Sequence, residues 1–142
     1  MQKVIDSAAK LRSFIEKENF KGYDPYDTLN SFIPFEKLGK WASAIAIQIQ
    51  KRNPVNIRPL LGIKKGINPK SHGLLLYAYS LQYELTKDEK TGESMENIFN
   101  WLIENYSKGY SGYCWGYNFG WANPVKYVKP YEPNISLFFC IS

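Results

Sequence analysis

Between Tyr106 and Trp121 the chain reads YSKGYSGYCWGYNFGW, seven aromatic residues and four glycines in sixteen positions with Lys108 as the only charge. From Tyr113 the rings fall on every second residue, Trp115, Tyr117, Phe119 and Trp121 following, while Cys114, Gly116, Asn118 and Gly120 take the alternate places. An extended strand with this pattern puts rings on one side and small groups on the other. Glycine backing lets another surface or a flat ligand come close, so the segment is expected either to present a wall of aromatic faces or to plug a core. Stacking of sugars or bases is the chemistry such a wall offers. Tyrosine outnumbers phenylalanine here, and each buried hydroxyl needs a partner.

The rest of the chain is written in helical period. Val4, Ile5, Ala8, Leu11 and Ile15 make an amphipathic first helix over about 2–18, stopped by GYDPYD. Pro34 suits the first turn of a second helix, whose apolar face Leu38, Trp41, Ala42, Ile45 and Ile49 runs to about Lys51 before Asn53-Pro54. A long proline-broken link then reaches Asn68-Pro69, the cap and first residue of a third helix over about 69–86. That helix is apolar on most sides, which predicts burial between neighbours. Thr91-Gly92-Glu93-Ser94 restarts the chain, and Met95, Ile98, Phe99, Leu102 and Ile103 carry a fourth helix to about Tyr106. Asn134 is expected to cap a fifth, almost wholly apolar helix, of which only two turns are present. An apolar terminus such as SLFFCIS is expected either from truncation of a longer protein or from a tail tucked into a groove.

With 142 residues, 44% of them hydrophobic and 16% aromatic, the chain is the size of one folded domain and too apolar for disorder. The formal charge of +5 comes from scattered lysines, which gives no nucleic-acid footprint. The charged, amphipathic N-terminus is unlike a signal peptide and no apolar run is long enough for a membrane span, so a cytoplasmic location is expected. The sequons at Asn105 and Asn134 carry no meaning without secretion. Two cysteines and a single histidine make no metal cluster, and neither metal nor cofactor is expected.

In this order the elements resemble the N-terminal part of an (α/α) toroid, the architecture of six-hairpin glycosidases, polysaccharide lyases and terpenoid cyclases. More closely, the segment KGYSGYCWGYNFGW and the GYDPYD turn are similar to toroid proteins encoded in bacterial capsular-polysaccharide biosynthesis loci. The likeness covers about residues 11–134 and departs after Asn134. It implies an all-α fold of helical hairpins, about a third of a ring of roughly a dozen helices. Some proteins of this look carry the name delta-aminolevulinic acid dehydratase. The strand–helix alternation of that enzyme's parallel barrel is absent from these residues.

The toroid resemblance also implies that Asp24, Asp27, His72 and the wall from Tyr110 to Trp121 meet at one end of a cavity. Asp24 and Asp27 are then candidate acid and base for glycan cleavage in the parent protein, or simply caps of the turn and the next helix. His72 is a candidate catalytic group, or a helix-terminus histidine bonded to backbone or lining a cavity. Tyr110, Tyr113, Trp115, Tyr117, Asn118 and Trp121 are the candidate contacts for a carbohydrate or lipid-linked sugar. Arg58, Lys64 and Lys65 are placed to meet phosphate or uronate groups, or solvent. Three functions follow: a fragment of a glycan-handling enzyme, a non-catalytic sugar-binding scaffold, and a helical protein-interaction module. Exposed apolar faces left by missing hairpins predict self-association.

Overall fold

A computed structural model describes residues 2–122 and 125–133. It is mostly helical: α1 Gln2–Lys17, α2 Lys40–Arg52, α3 Pro69–Thr86 and α4 Glu89–Glu104, with short 3-10 turns at Asp27–Asn30 and Phe35–Leu38. The only sheet among the described residues pairs β1 Trp121–Ala122 with β2 Tyr127–Val128, antiparallel, Trp121 opposite Val128. The expected fifth helix from Asn134, and Cys140 within it, lie outside the described residues.

Helix boundaries differ from the sequence pattern where side-chain caps and left-handed residues intervene. The first helix is ended not at Gly22 but by Asn19 and Phe20, both at positive φ (51° and 59°), with Phe20 N–H donating to Ile15 O at 3.0 Å. That turn swings Phe20 inward, against His72 and Tyr79. Pro34 opens a 3-10 turn rather than α2; Gly39, at φ 94°, then resets the chain, a conformation a side chain resists. Asp88 caps α4 by accepting from Thr91 N–H at 3.0 Å, so Thr91 and Gly92 sit inside the helix instead of before it. Lys87, left-handed at φ 53°, closes α3 and leaves only two residues between the helices. They fold back on each other as a hairpin.

The core lies on one side of that hairpin. Tyr79, Ile98, Leu102 and Trp115 form its buried centre, with Phe20, Leu75, Leu76, Met95, Trp101 and Tyr106 packed around them. The expectation that α3 is buried on most sides is not met: only His72 and Tyr79 are buried, while Leu74, Tyr77, Leu81 and Leu85 are exposed. Apolar residues all round a helix require neighbours all round, and α3 has them on one side. A second layer sits between α2, the 3-10 turns and β1, centred on Ile47 and Ile63.

Candidate functional site

The GYDPYD turn is built from its own carboxylates. Asp24 Oδ1 accepts Tyr26 N–H at 2.9 Å, and Asp27 Oδ2 accepts Asp24 N–H at 3.0 Å, since Pro25 keeps Asp24 out of helical geometry. Arg58 then locks the turn from the long link, Nε donating to Asp27 Oδ1 at 2.8 Å and Nη2 to the Asp24 carbonyl at 3.1 Å. Asp27 is buried, and its pKa is raised, by desolvation first, against the opposing pull of Arg58. The second Asp24 oxygen accepts Asn68 Nδ2 at 2.8 Å. Asn68 thus caps α3 with its oxygen and holds Asp24 with its nitrogen.

A backbone clasp closes the site. Gly22 and Gly66 exchange two N–H···O bonds of 2.9 Å. A methyl group on Gly66 would lie 2.0 Å from Asn118 Nδ2, so only glycine lets the Asn118 amide settle over this clasp. Asn30 Nδ2 donates to the Asn118 carbonyl at 3.3 Å. The result is a pocket of about 270 Å³ lined by Tyr23, Asp24, Asp27, Asn30, Lys64, Asn68, Ser71 and Asn118 beside the two glycines. Tyr117 stands next to it, its phenol pKa raised by burial and by the negative charge of Asp24.

Of the candidate catalytic groups, Asp24 and Asp27 share this pocket and His72 does not. His72 is 3% exposed and lies among rings, Trp101 at 4.7 Å and Phe20 at 6.0 Å between centroids. Burial lowers its pKa to about 4, which keeps it neutral, and Nδ1 has no hydrogen-bond partner among the described residues.

The aromatic segment does not separate into a ring side and a glycine side. Cys114, Trp115 and Gly116 are all buried in succession, because the chain runs between the helical hairpin and the 127–132 segment and is covered on both faces. Trp115 fills the core and donates Nε1–H to the Leu102 carbonyl at 2.9 Å. Gly116 explains the cover on the other face: a Cβ there would lie 2.4 Å from the Tyr131 carbonyl carbon and 2.7 Å from Glu132 N. Tyr131 N–H donates to Tyr117 O at 2.7 Å, and Ser107 Oγ–H to Tyr131 O at 2.7 Å. Tyr117 stacks on buried Phe119 at 4.9 Å, Trp121 is half-buried in β1, and Tyr110 and Tyr113 are exposed. Trp115 and Tyr117 also line an apolar cavity of about 490 Å³ against Leu74, Leu76 and Tyr77 of α3, so the wall is divided among core, that cavity and the surface, and only Asn118 reaches the polar pocket as a lining group.

Of the residues the sequence singles out, Asp24, Asp27, Asn118 and Lys64 line the polar pocket. Sequence reasoning missed Asn30, Ser71, Gly66 and the second bond of Asn68, which depend on contacts across 44 to 88 residues or on a bridge between separated glycines. No helix among the described residues is long and apolar enough to cross a membrane. No family model, curated protein or solved structure matches this chain.

Proposed function

We propose that this chain binds a single sugar ring in the Asp24–Asn118 pocket, as part of capsular or surface polysaccharide metabolism in the cytoplasm, and that it forms an arc of an (α/α) toroid. The observation that carries the sugar reading is the lining: two carboxylates, three amides, a serine and a tyrosine converge on about 270 Å³. Vicinal hydroxyls need such paired acceptors and donors, and the volume lies at the small end of ligand sites, typically about 300–1,000 Å³. Lys64 at the edge favours an anionic sugar such as a uronate or a lipid-linked sugar phosphate. Support for the arc comes from the α3–α4 hairpin and from the capsular-locus resemblance of residues 11–134.

Binding is the role proposed for this chain, and turnover is not. Both oxygens of Asp24 and of Asp27 hold the turn together, and their remaining lone pairs serve on this reading to accept from sugar hydroxyls rather than to move protons. Cleavage, lyase or hydrolase in type, belongs on this reading to a longer parent protein.

The test is a titration of isotope-labelled protein with glucuronate and with glucose, followed by amide NMR shifts. Shifts at Gly22–Asp27, Lys64–Ser71 and Asn118, stronger for glucuronate, are expected. Asn118→Ala, and Gly66→Ala through displacement of the Asn118 amide, should abolish them, whereas exposed Tyr110→Ala should leave them intact. Binding lost in Tyr110→Ala and kept in Asn118→Ala would return the sugar to the outer rings and overturn the pocket.

A further inference from the structure

Beside the core, the α3–α4 hairpin also carries a groove. Leu76 and Tyr83 of α3 and Met95 and Phe99 of α4 floor a depression of about 670 Å³, and its charged lining residues are Glu89, Glu93 and Glu96. Three acids line the groove in a chain of net charge +5, and the nearest base, Lys87, stands over the Tyr83 ring 5.5 Å from its centroid. None of the three forms an ion pair among the described residues, although Glu16 and Glu18 elsewhere do.

The outer face of α1, whose inner face packs against the start of α4, offers the complement. It buries no residue, and Val4, Leu11 and Phe14 are 72%, 58% and 60% exposed. On a helix these three project from one side, while Arg12 and Glu16 face inward to Thr91 and Lys90. Along the edge of the apolar stripe run Lys3, Lys10 and Lys17, seven residues apart and all exposed, with no ion pair among the described residues. Seven residues of helix rise about 10 Å. Glu89 and Glu96 share the same spacing on α4, with Glu93 between them. A single helix laid in the groove therefore sets its lysine row along the glutamate row in register while Val4, Leu11 and Phe14 cover the apolar floor.

We propose that the groove between α3 and α4 receives α1 of a second copy of this chain. The groove and α1 are different surfaces, so the contact is head-to-tail: each copy that is bound at its groove still offers its own α1. Mass grows with concentration rather than stopping at a symmetric dimer. The contact is independent of sugar binding, since neither surface includes a residue of the Asp24–Asn118 pocket.

Sedimentation velocity of the full chain over a hundredfold range of concentration tests it, at low and at high salt. Concentration-dependent oligomers, weakened by salt, are expected. Glu93→Lys with Glu96→Lys, and separately Lys3→Glu with Lys10→Glu, should each weaken association about tenfold or more by turning attraction into repulsion along the rim. All four positions are exposed, so circular dichroism should show unchanged helicity. An equimolar mixture of the two reversed proteins should associate again, because each acidic α1 then meets a basic groove and each basic α1 an acidic one. A monomer at every concentration overturns the proposal. So does association indifferent to both reversals, including one abolished by removing residues 134–142, which would assign the contact to the terminus.

Discussion

The hairpin core and the Asp24–Asp27 turn of this molecule are held by different forces. Around the α3–α4 hairpin, Tyr79, Ile98, Leu102 and Trp115 exclude water, and the polar atoms among them are few. Around the Asp24–Asp27 turn the chain has little regular structure, and its shape is kept by hydrogen bonds: Arg58 to Asp27 and to the Asp24 carbonyl, Asn68 to Asp24, Gly22 to Gly66. Apolar packing is tolerant of direction and sums over many contacts, whereas a hydrogen-bonded turn depends on each partner. This difference is why the candidate site sits at the turn. Side chains already fixed by polar bonds present a pre-oriented surface to a ligand, which a greasy interior does not.

The largest effect should come from the hairpin core. Trp115→Ala removes a buried indole that also satisfies the Leu102 carbonyl, and a loss of about 3–5 kcal/mol in urea unfolding is expected. A change under about 1 kcal/mol would show that the aromatic segment is not part of the core.

That outcome bears on what could be read from the sequence. Helical period was legible because apolar residues recur at helical spacing, although the stripes of α1 and α2, with Val4 and Leu11 on one and Trp41, Ile45 and Ile49 on the other, are exposed; Asn68-Pro69 announced its helix start by cap chemistry alone. The aromatic alternation was misleading for a physical reason. Period two describes a strand with one dry face, but Trp115 and Gly116 are both buried because residues 127–132 cover the side that glycine leaves open. Such a cover comes from chain ten or more residues away and leaves no trace in the local pattern. Asp24 and Asp27 were visible as a turn through Pro25, while the bonds by which Arg58 and Asn68 hold them cross more than thirty residues and were not.

A second test of the hairpin core uses pH. The pKa of His72 in the fold, about 4, lies below its ordinary 6.5 because burial disfavours the cation. Between those values the unfolded chain binds a proton that the folded chain refuses, so the contribution is complete above pH 6.5 and is lost as the pH falls towards 4. The size is about 3 kcal/mol for the full shift. Urea midpoints at pH 7, 5.5 and 4 should therefore fall steadily in the wild type, and His72→Phe should flatten the slope. An unchanged slope in the variant would remove His72 as its source.

The hydrogen-bonded turn answers to pH with the opposite sign, and this separates the two regions. Removing the guanidinium in Arg58→Met leaves the Asp27 carboxylate buried without its cation, a loss of about 2 kcal/mol at pH 7 given that the pocket admits water. Asp27 is already raised above 3.8 by desolvation, and loss of Arg58 removes the interactions that oppose that rise. A raised carboxylate favours folding below its unfolded value and loses that contribution as the pH climbs through the folded one. The penalty of the variant should accordingly be greatest at pH 7 and shrink on acidification, as a protonated carboxyl no longer needs a cation. Because His72 is present in both proteins, its contribution cancels in the difference between wild type and Arg58→Met taken at each pH. A difference that stays constant from pH 7 to 4 would mean that Arg58 acts through its contact with the Asp24 carbonyl or the Tyr23 ring rather than through charge. The turn would then be held by shape, and the contrast between turn and core would be one of packing alone.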